Sequence, residues 1–216
     1  MNQALIQFEK HLNQVKELHI RYVYFKTALP ADDLSDLLRS EIVYGISAFD
    51  KLIHDLVKIG MLETYAGLRI ETVQYKAFKI SVETLSKIQN PSGSPPEFWF
   101  ENEIKNQHKL LSFQEPKKVN DALNLISDTQ YKWQVIATTL GKTESDTKTY
   151  LSNLVNRRNA IVHEADEDPL TGDKISITEL DVKNDIDFIL NLGKAIFDLV
   201  KKTIHRKETK TVFDCS

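Results

Sequence analysis

The chain contains few of the residues that interrupt helices or form cross-links. Its 216 residues include 7 glycines, 6 prolines and a single cysteine. Because glycine and proline are scarce, the sequence predicts long elements with few breaks. The lone Cys215 excludes an intramolecular disulfide and any cysteine-based metal site, and it is typical of a reducing cytoplasm.

Neither charge sign dominates, and long apolar runs are absent. The 28 basic and 31 acidic residues give a net charge of -3, so the chain has no global attraction to nucleic acid or membranes. An RNA site must therefore be a local basic feature. No apolar run approaches the roughly 20 residues of a membrane span, and residues 1–5 lack a signal-peptide pattern. We expect a soluble cytoplasmic protein.

Apolar residues recur at helical spacing and predict an all-α fold. One seam runs from Leu5 to Leu29 and ends at Pro30, and a second runs from Leu34 to Ile59, so the two long helices should form a hairpin. Further helices are expected around residues 78–88, 116–126 and 133–140, and the capping boxes at Thr143 and Thr178 predict two more. We expect a single domain over residues 1–216, with an N-terminal extension (1–30), a core (31–205) and a tail (206–216).

The pattern that suggests function lies in the helix predicted after Thr143. Arg158 is followed directly by Asn159 and then, four residues later, by His163. For this composition, an arginine followed four to six residues later by a histidine is expected by chance ~0.5 times, whereas Arg-Asn-x-x-x-His is expected only ~0.01 times. The asparagine makes the pattern moderately specific.

Arg158 falls within the apolar stripe predicted for this helix, and Asn159 and His163 share its flank. A buried guanidinium needs a carboxylate, a second subunit or an anionic ligand. RNA cleavage needs a base, an acid and positive charge at the phosphate, and His, Asn and Arg cover much of this without a metal. The alternative is a solvated helix end with His163 as a capping side chain. The predicted stripe consists of Leu151, Leu154, Val155, Ile161 and Val162.

Two separated blocks resemble the HEPN superfamily, in its RiboL-PSP branch. Residues 158–163 resemble the Arg-x(4 to 6)-His signature, and residues 47–55, Ser-Ala-Phe-Asp-Lys-Leu-Ile-His-Asp, are similar to an early helix of that branch. Residues 113–119 are also similar. The resemblance covers about residues 35–200, and the first helix lies outside it.

The resemblance implies a HEPN-type antiparallel bundle, a homodimer that brings two motifs together, and metal-independent endoribonuclease activity without a cofactor. A toxin, RNA-processing or anti-phage defence role, regulated by an antitoxin or other protein, is implied too. On this basis Arg158 stabilises the transition state, His163 is the acid or base, and Asn159 orients the phosphate or the histidine. Asp50 and His54 are supporting residues, and we hypothesise that Asp50 pairs with Arg158; otherwise both only flank an apolar seam.

Further RNA contacts are expected from basic residues outside this triad. They are Arg157 and the C-terminal Lys201, Lys202 and Arg206, although the last three also fit a solvated tail. Some toxins of the superfamily carry a modifiable tyrosine two residues after the histidine, where this chain has Ala165, so that regulation is not implied. Two alternatives to a nuclease remain, namely a non-catalytic HEPN-like RNA-binding or protein-interaction module, and a structural helical adaptor.

Overall fold

The computed structural model describes residues 1–91 and 93–201, and its regular secondary structure is helical. Within those residues there are nine helices and no strand beyond one isolated bridge between Glu167 and Lys174. The predicted all-α class is confirmed. The helices are α1 (Asn2–Ala28), α2 (Ser35–Tyr65), α3 (Val73–Lys76), α4 (Val82–Gln89), α5 (Pro96–His108), α6 (Pro116–Asn124), α7 (Lys132–Thr139), α8 (Glu144–His163) and α9 (Glu179–Lys201).

The long hairpin predicted at the N-terminus is formed by α1 and α2. A short turn after Pro30 reverses the chain, and Asp33 accepts a hydrogen bond from the Ser35 N–H, which begins α2. On α1, the side chains that pack into the core recur every three, four or seven residues; they are Ala4, Phe8, Leu12, Val15 and Tyr22. Phe8 is only 1% exposed, so α1 belongs to the core of the bundle.

The centre of the bundle is α2, which packs against α1, α5, α6, α8 and α9. Two glycines allow the last helix to approach closely. A Cβ atom at Gly193 would lie 2.4 Å from the Phe8 ring, and one at Gly45 would lie 2.6 Å from Ile186. Most of the buried side chains of α2 are aliphatic, and their removal from water is the main force that holds these helices together.

The predicted capping boxes of the last two helices are confirmed. Thr143 accepts a hydrogen bond from the Asp146 N–H at 3.1 Å, and Thr178 accepts one from the Asp181 N–H at 3.2 Å. Each threonine also donates to the carboxylate of its aspartate partner. These caps fix where α8 and α9 begin, and so they set the register of the Arg158 segment.

Two helices were not predicted from the sequence, α3 and α5. The aromatic run at residues 98–100 lies inside α5, which begins at Pro96 after the turn-rich segment. Among the helices of the described residues, none has the length and apolarity to cross a membrane.

Candidate active site

Arg158 faces a cavity between α2, α5 and α8. The cavity has a volume of about 630 Å³, and its polar wall includes Asp50, His54, His108 and Gln114. Arg158 donates from Nη1 to Asn159 Oδ1 at 3.1 Å. Its Nε is shielded from solvent and has no hydrogen-bond partner. No ion pair within the described residues includes Arg158, so its charge is available to an anionic ligand.

Lysines make the rim of this cavity basic. Lys51 and Lys58 come from α2, Lys105 comes from α5, and Lys109 follows α5. The first three contact carboxylates: Lys51 is 2.9 Å from Asp55, and Lys105 is 2.7 Å from Glu101. With Arg158, the rim carries a local excess of positive charge although the chain as a whole is acidic. This is the local basic feature that an RNA site requires.

The supporting residues predicted on α2 lie in the same cavity, but the predicted pairing is not formed. The Asp50 carboxylate accepts a hydrogen bond from the Phe113 N–H at 2.6 Å and lies 3.8 Å from His54 Nε2. No ion pair within the described residues joins Asp50 to Arg158. Asp50 therefore holds the segment after α5 against α2, and the His54 ring packs on Phe113 with a centroid distance of 4.4 Å.

His163 and Asn159 occupy another face of α8. His163 is the last residue of the helix and is exposed, and it is not among the residues that line the Arg158 cavity. Five residues of an α-helix turn the direction of a side chain by about 140°. The predicted triad is thus divided: Arg158 lies in the cavity, whereas His163 lies on the surface beside it. Val162 of the predicted apolar stripe is also 45% exposed, because the last turn of α8 extends beyond its packing partners.

Arg157 is bound to the protein itself. Its Nη2 lies 2.8 Å from Asp166 Oδ2 and also reaches the carbonyl oxygens of Ile175 and Ser176. The same Asp166 oxygen accepts a 2.6 Å bond from Arg39 Nε on α2. We call Arg39, Asp166 and Arg157 the Asp166 clamp. Through Nη2, Arg157 therefore has a structural role in the clamp. Its predicted contact with RNA stays a prediction.

The Asp166 clamp holds the chain directly after His163. Ala165 and Asp166 both have left-handed backbones, with φ of 55° and 58°. The Asp166 N–H donates to Ala160 O at 3.0 Å, which satisfies a carbonyl at the end of α8. Since a left-handed backbone is unfavourable for these residues, the buried ion pairs maintain it. The clamp thus defines where α8 ends and where His163 lies.

The predicted C-terminal RNA contacts are largely outside the described residues. Lys201 is the last residue of α9 and is exposed, with its Nζ 5.5 Å from the centroid of the Phe197 ring. Lys202 and Arg206 lie outside the described residues, as does the tail from residue 206. These three contacts stay predictions.

Sequence reasoning missed His108 and Asp166. Phe100, Ile104 and His108 are spaced by four residues and are all buried, so helical periodicity across residues 100–108 was a usable signal for His108. Asp166 had no such signal, because its partner Arg39 lies 127 positions away. Burial lowers the pKa of His108 to about 4, and the adjacent His54 contributes to the shift.

His108 makes the stability of the fold depend on pH. Its pKa is 6.5 ordinarily and about 4 here. Between these values, the unfolded chain takes up a proton that the folded chain does not, so the free energy of unfolding falls as the pH drops. After allowance for solvent screening, the loss is about 1 to 2 kcal/mol. Urea unfolding at pH 7 and pH 5 measures this decrease in the free energy of unfolding.

His108→Phe should lose this pH-dependent component, because phenylalanine fills the same aromatic cluster and does not titrate. Half-buried Asp185, with its pKa raised to about 6, opposes the effect in both proteins. The difference between the two proteins therefore isolates His108. His11→Phe is the control, since His11 is half-buried on α1. An identical pH dependence in the wild type and His108→Phe would contradict the prediction.

The comparison with family models decides the identity of the fold. The model of the RiboL-PSP-HEPN family matches residues 2–202. The chain belongs to the RiboL-PSP-HEPN family. The resemblance predicted from residues 158–163 and 47–55 is therefore confirmed, and the match also includes α1. No curated protein and no solved structure is significantly similar to the chain. Membership of this HEPN-type family points to an RNA-related function.

Proposed function

We propose that this RiboL-PSP-HEPN protein is a metal-independent endoribonuclease. The observation that carries the proposal is Arg158, whose Nε is buried without a partner in a cavity rimmed by lysines. A desolvated guanidinium without a carboxylate is unfavourable unless an anion completes it. RNA phosphate is such an anion, and the planar guanidinium contacts two of its oxygens at once.

The proposed reaction requires no group beyond the substrate and the protein. The 2′-hydroxyl oxygen attacks the adjacent phosphorus and gives its proton to a base, while the bond from phosphorus to the 5′ oxygen breaks. The leaving oxygen takes a proton from an acid, and the products carry a 2′,3′-cyclic phosphate and a 5′-hydroxyl. His163 transfers the proton at one of these steps, and Arg158 stabilises the negative charge of the transition state.

Asn159 orients the phosphate in this scheme. Its Oδ1 accepts the hydrogen bond from Arg158 Nη1, which leaves the two N–H donors of the amide for a phosphate oxygen. The bond also fixes one edge of the guanidinium.

A homodimer is part of the proposal because the motif is divided within one chain. Arg158 lies in the cavity and His163 lies outside it. A second copy that places its motif against the first supplies a histidine on the open side of the cavity. Each composite site then combines Arg158 of one chain with His163 of the other.

The decisive experiment is cleavage of bulk RNA by the purified chain in the presence of EDTA. The wild type is expected to leave 2′,3′-cyclic phosphate ends, whereas Arg158→Ala and His163→Ala are not. His11→Ala and Arg21→Ala, on α1 and outside the Arg158 cavity, are the matched controls and should cleave normally. Equal activity in all five proteins would overturn the assignment, because it would indicate a contaminating nuclease.

Mixing the two inactive variants tests the composite site. In a mixed dimer of Arg158→Ala and His163→Ala, one site retains both residues and the other loses both. Activity is therefore expected to return on mixing. If the mixture stays inactive although mixed dimers form, arginine and histidine act within one chain.

One observation favours a second candidate, a non-catalytic RNA-binding or protein-interaction module. His163 is separated from the Arg158 cavity, and an anion-binding cavity suffices for recognition alone. Binding of RNA without any product in EDTA would support this module.

For the biological role, we propose a cytoplasmic toxin, RNA-processing or anti-phage defence component restrained by an antitoxin or another regulatory protein. Arrested growth on expression of the wild type, and normal growth with His163→Ala, is the expected result for a toxin.

A further inference from the structure

A second polar cavity lies near the beginning of α8, more than two helical turns before Arg158. Its volume is about 800 Å³, and it lies between α6, the start of α7 and the start of α8. Its lining includes the asparagines of α6 and Tyr131. The lining also contains more lysines than carboxylates: Lys117, Lys132 and Lys148 against Asp128 and Glu144. The fold places amides, cations and an aromatic ring around one opening.

Tyr131 is held in an unfavourable conformation at this opening. Its φ of 52° and ψ of 43° are left-handed, and its side chain is 78% exposed. A left-handed backbone costs roughly 1 to 2 kcal/mol for a residue with a side chain. The exposed ring offers little burial to offset that cost. Tyrosine at this position is therefore better explained by a ligand than by folding.

Lys132 brings a nearly buried positive charge to the wall of the cavity. Its side chain is 7% exposed, and Nζ donates to Asn124 Oδ1 at 2.7 Å and to Thr129 O at 2.9 Å. Both acceptors are neutral, and no salt bridge within the described residues includes Lys132. An ammonium has three N–H donors, so one remains for a ligand acceptor.

The cavity continues along α8 toward the candidate catalytic histidine. A neighbouring cavity of about 520 Å³ shares Pro116, Lys117 and Lys148 with it and extends past Ser152 and Asn156. Steps of three and four residues along the same helix face then lead to Asn159 and His163. From Lys148 to His163 the distance along the helix is about 22 Å. We call this path the α8 groove.

We propose that the α8 groove binds a single strand of RNA, with one base stacked on Tyr131 and the backbone following Lys117 toward His163. Lys148 lines the same path, but its Nζ is paired with Glu144. The inference rests on the proposed nuclease function and names its substrate-binding subsite. Every base has a π-face, so stacking on an exposed ring holds single strands with little sequence preference. Asn120 and Asn124 line the same cavity as Tyr131, so their amides are the groups proposed to contact the edge of the stacked base.

The side chains that line the α8 groove favour a single strand of RNA over a peptide as its ligand. Most side chains of the groove are amides, hydroxyls and charged groups, and its non-aromatic apolar lining is Val73 and Pro116, which is too little for the apolar face of an amphipathic helix. Lys117 is exposed and belongs to no salt bridge within the described residues, so its charge is available to a phosphate.

Fluorescence anisotropy with a labelled 12-nucleotide RNA tests the groove in the His163→Ala background, which prevents cleavage. Tyr131→Gly removes the ring and also suits the left-handed backbone, so the fold should be unaffected. It is expected to weaken binding about 5- to 100-fold, as loss of one base stack does. Tyr131→Phe should bind normally. The matched control is Tyr24→Ala, which removes a tyrosine of similar exposure, 68%, from α1.

The proposed contact between Lys117 and the RNA backbone is tested with a second pair of variants. Lys117→Ala should reduce the slope of log Kd against log salt concentration by about 0.7, the value for one phosphate on a single strand. Lys118→Ala should not, because its Nζ is bound to Glu115 at 2.9 Å and it does not line the groove.

The outcomes separate the groove from the nuclease. If Tyr131→Gly and Lys117→Ala bind RNA as tightly as their controls while the wild type cleaves RNA, the proposed RNA-binding role of the groove is wrong and the proposed nuclease function is retained. The wild type could instead bind RNA with an affinity that depends on Tyr131 and yet cleave no RNA. That result would support the groove as an RNA-binding site and would make the chain an RNA-binding module without nuclease activity. If the groove binds a peptide and not RNA, the inference is overturned.

Discussion

Replacing Arg158 by alanine is expected to slow RNA cleavage by about 100- to 1,000-fold, the effect of removing one donor that stabilises transition-state charge. The same substitution should leave the free energy of unfolding unchanged or slightly raised. The reason is that Arg158 is half-buried, and in the free protein its Nε is shielded from solvent without a partner while Nη1 donates to the neighbouring Asn159, so the side chain adds little to stability. A residue that matters for catalysis and not for the fold is a signature of a functional site.

Single-turnover cleavage and urea unfolding of the same preparations measure the two effects. Arg158→Lys keeps the charge but loses the planar fork, so it should recover only part of the rate. The control is Arg21→Ala, because Arg21 is exposed on α1 and lies 4.0 Å from Glu17. A wild-type rate in Arg158→Ala would remove Arg158 from the mechanism, and a large loss of stability would make it a structural residue.

Replacing Asp166 by alanine is expected to lower the free energy of unfolding by about 3 to 5 kcal/mol. Asp166 is fully buried, and its Oδ2 binds Arg39 at 2.6 Å and Arg157 at 2.8 Å. Arg39 is itself 5% exposed, so the substitution leaves a desolvated guanidinium whose remaining carboxylate partner is the exposed Asp36, at 3.3 Å. Alanine must also adopt the left-handed φ of 58° at this position.

Chemical denaturation checks the Asp166 prediction, and two variants separate its causes. Asp166→Asn removes the charge, and asparagine tolerates the left-handed backbone. The decrease in the free energy of unfolding of this variant therefore measures the ion pairs alone. Asp173→Ala is the control, since Asp173 is exposed in the same loop. If Asp166→Ala costs no more than Asp173→Ala, the clamp does not stabilise the fold. Cleavage by Asp166→Asn should also be slower, because the clamp defines the position of His163.

Local features of the sequence predicted the element that carries the motif. The threonine caps depend on residues three positions apart, so Thr143 and Thr178 marked the beginnings of α8 and α9 correctly. The helix α5 was missed because Phe98, Trp99 and Phe100 are consecutive and hide the spacing that relates Phe100, Ile104 and His108. Consecutive aromatics carry no helical period.

The contacts of the site depend on residues far apart in the chain. Asp50 was predicted to face Arg158, but it accepts from the Phe113 N–H, 63 positions away. Arg157 was predicted to contact RNA, yet the Asp166 clamp binds it. No spacing rule connects positions at such separations. Sequence patterns therefore selected Arg158, Asp50 and His54, which line one cavity, whereas the position of His163 outside that cavity and the partners of each residue required the fold.

The central position of α2 determines when the site comes into existence during synthesis. The buried face of α2 packs on α9, and Arg69, soon after α2, donates to the Val200 carbonyl at 3.0 Å, a contact that spans 131 positions. A nascent chain that still lacks α9 exposes the apolar side of α2, and Tyr150 of α8 lacks the Asp185 carboxylate to which it donates at 2.8 Å. We expect that the bundle around α2 closes only after α9 has been synthesised, so that the cavity around Arg158 takes its final form later than the helix that carries Arg158.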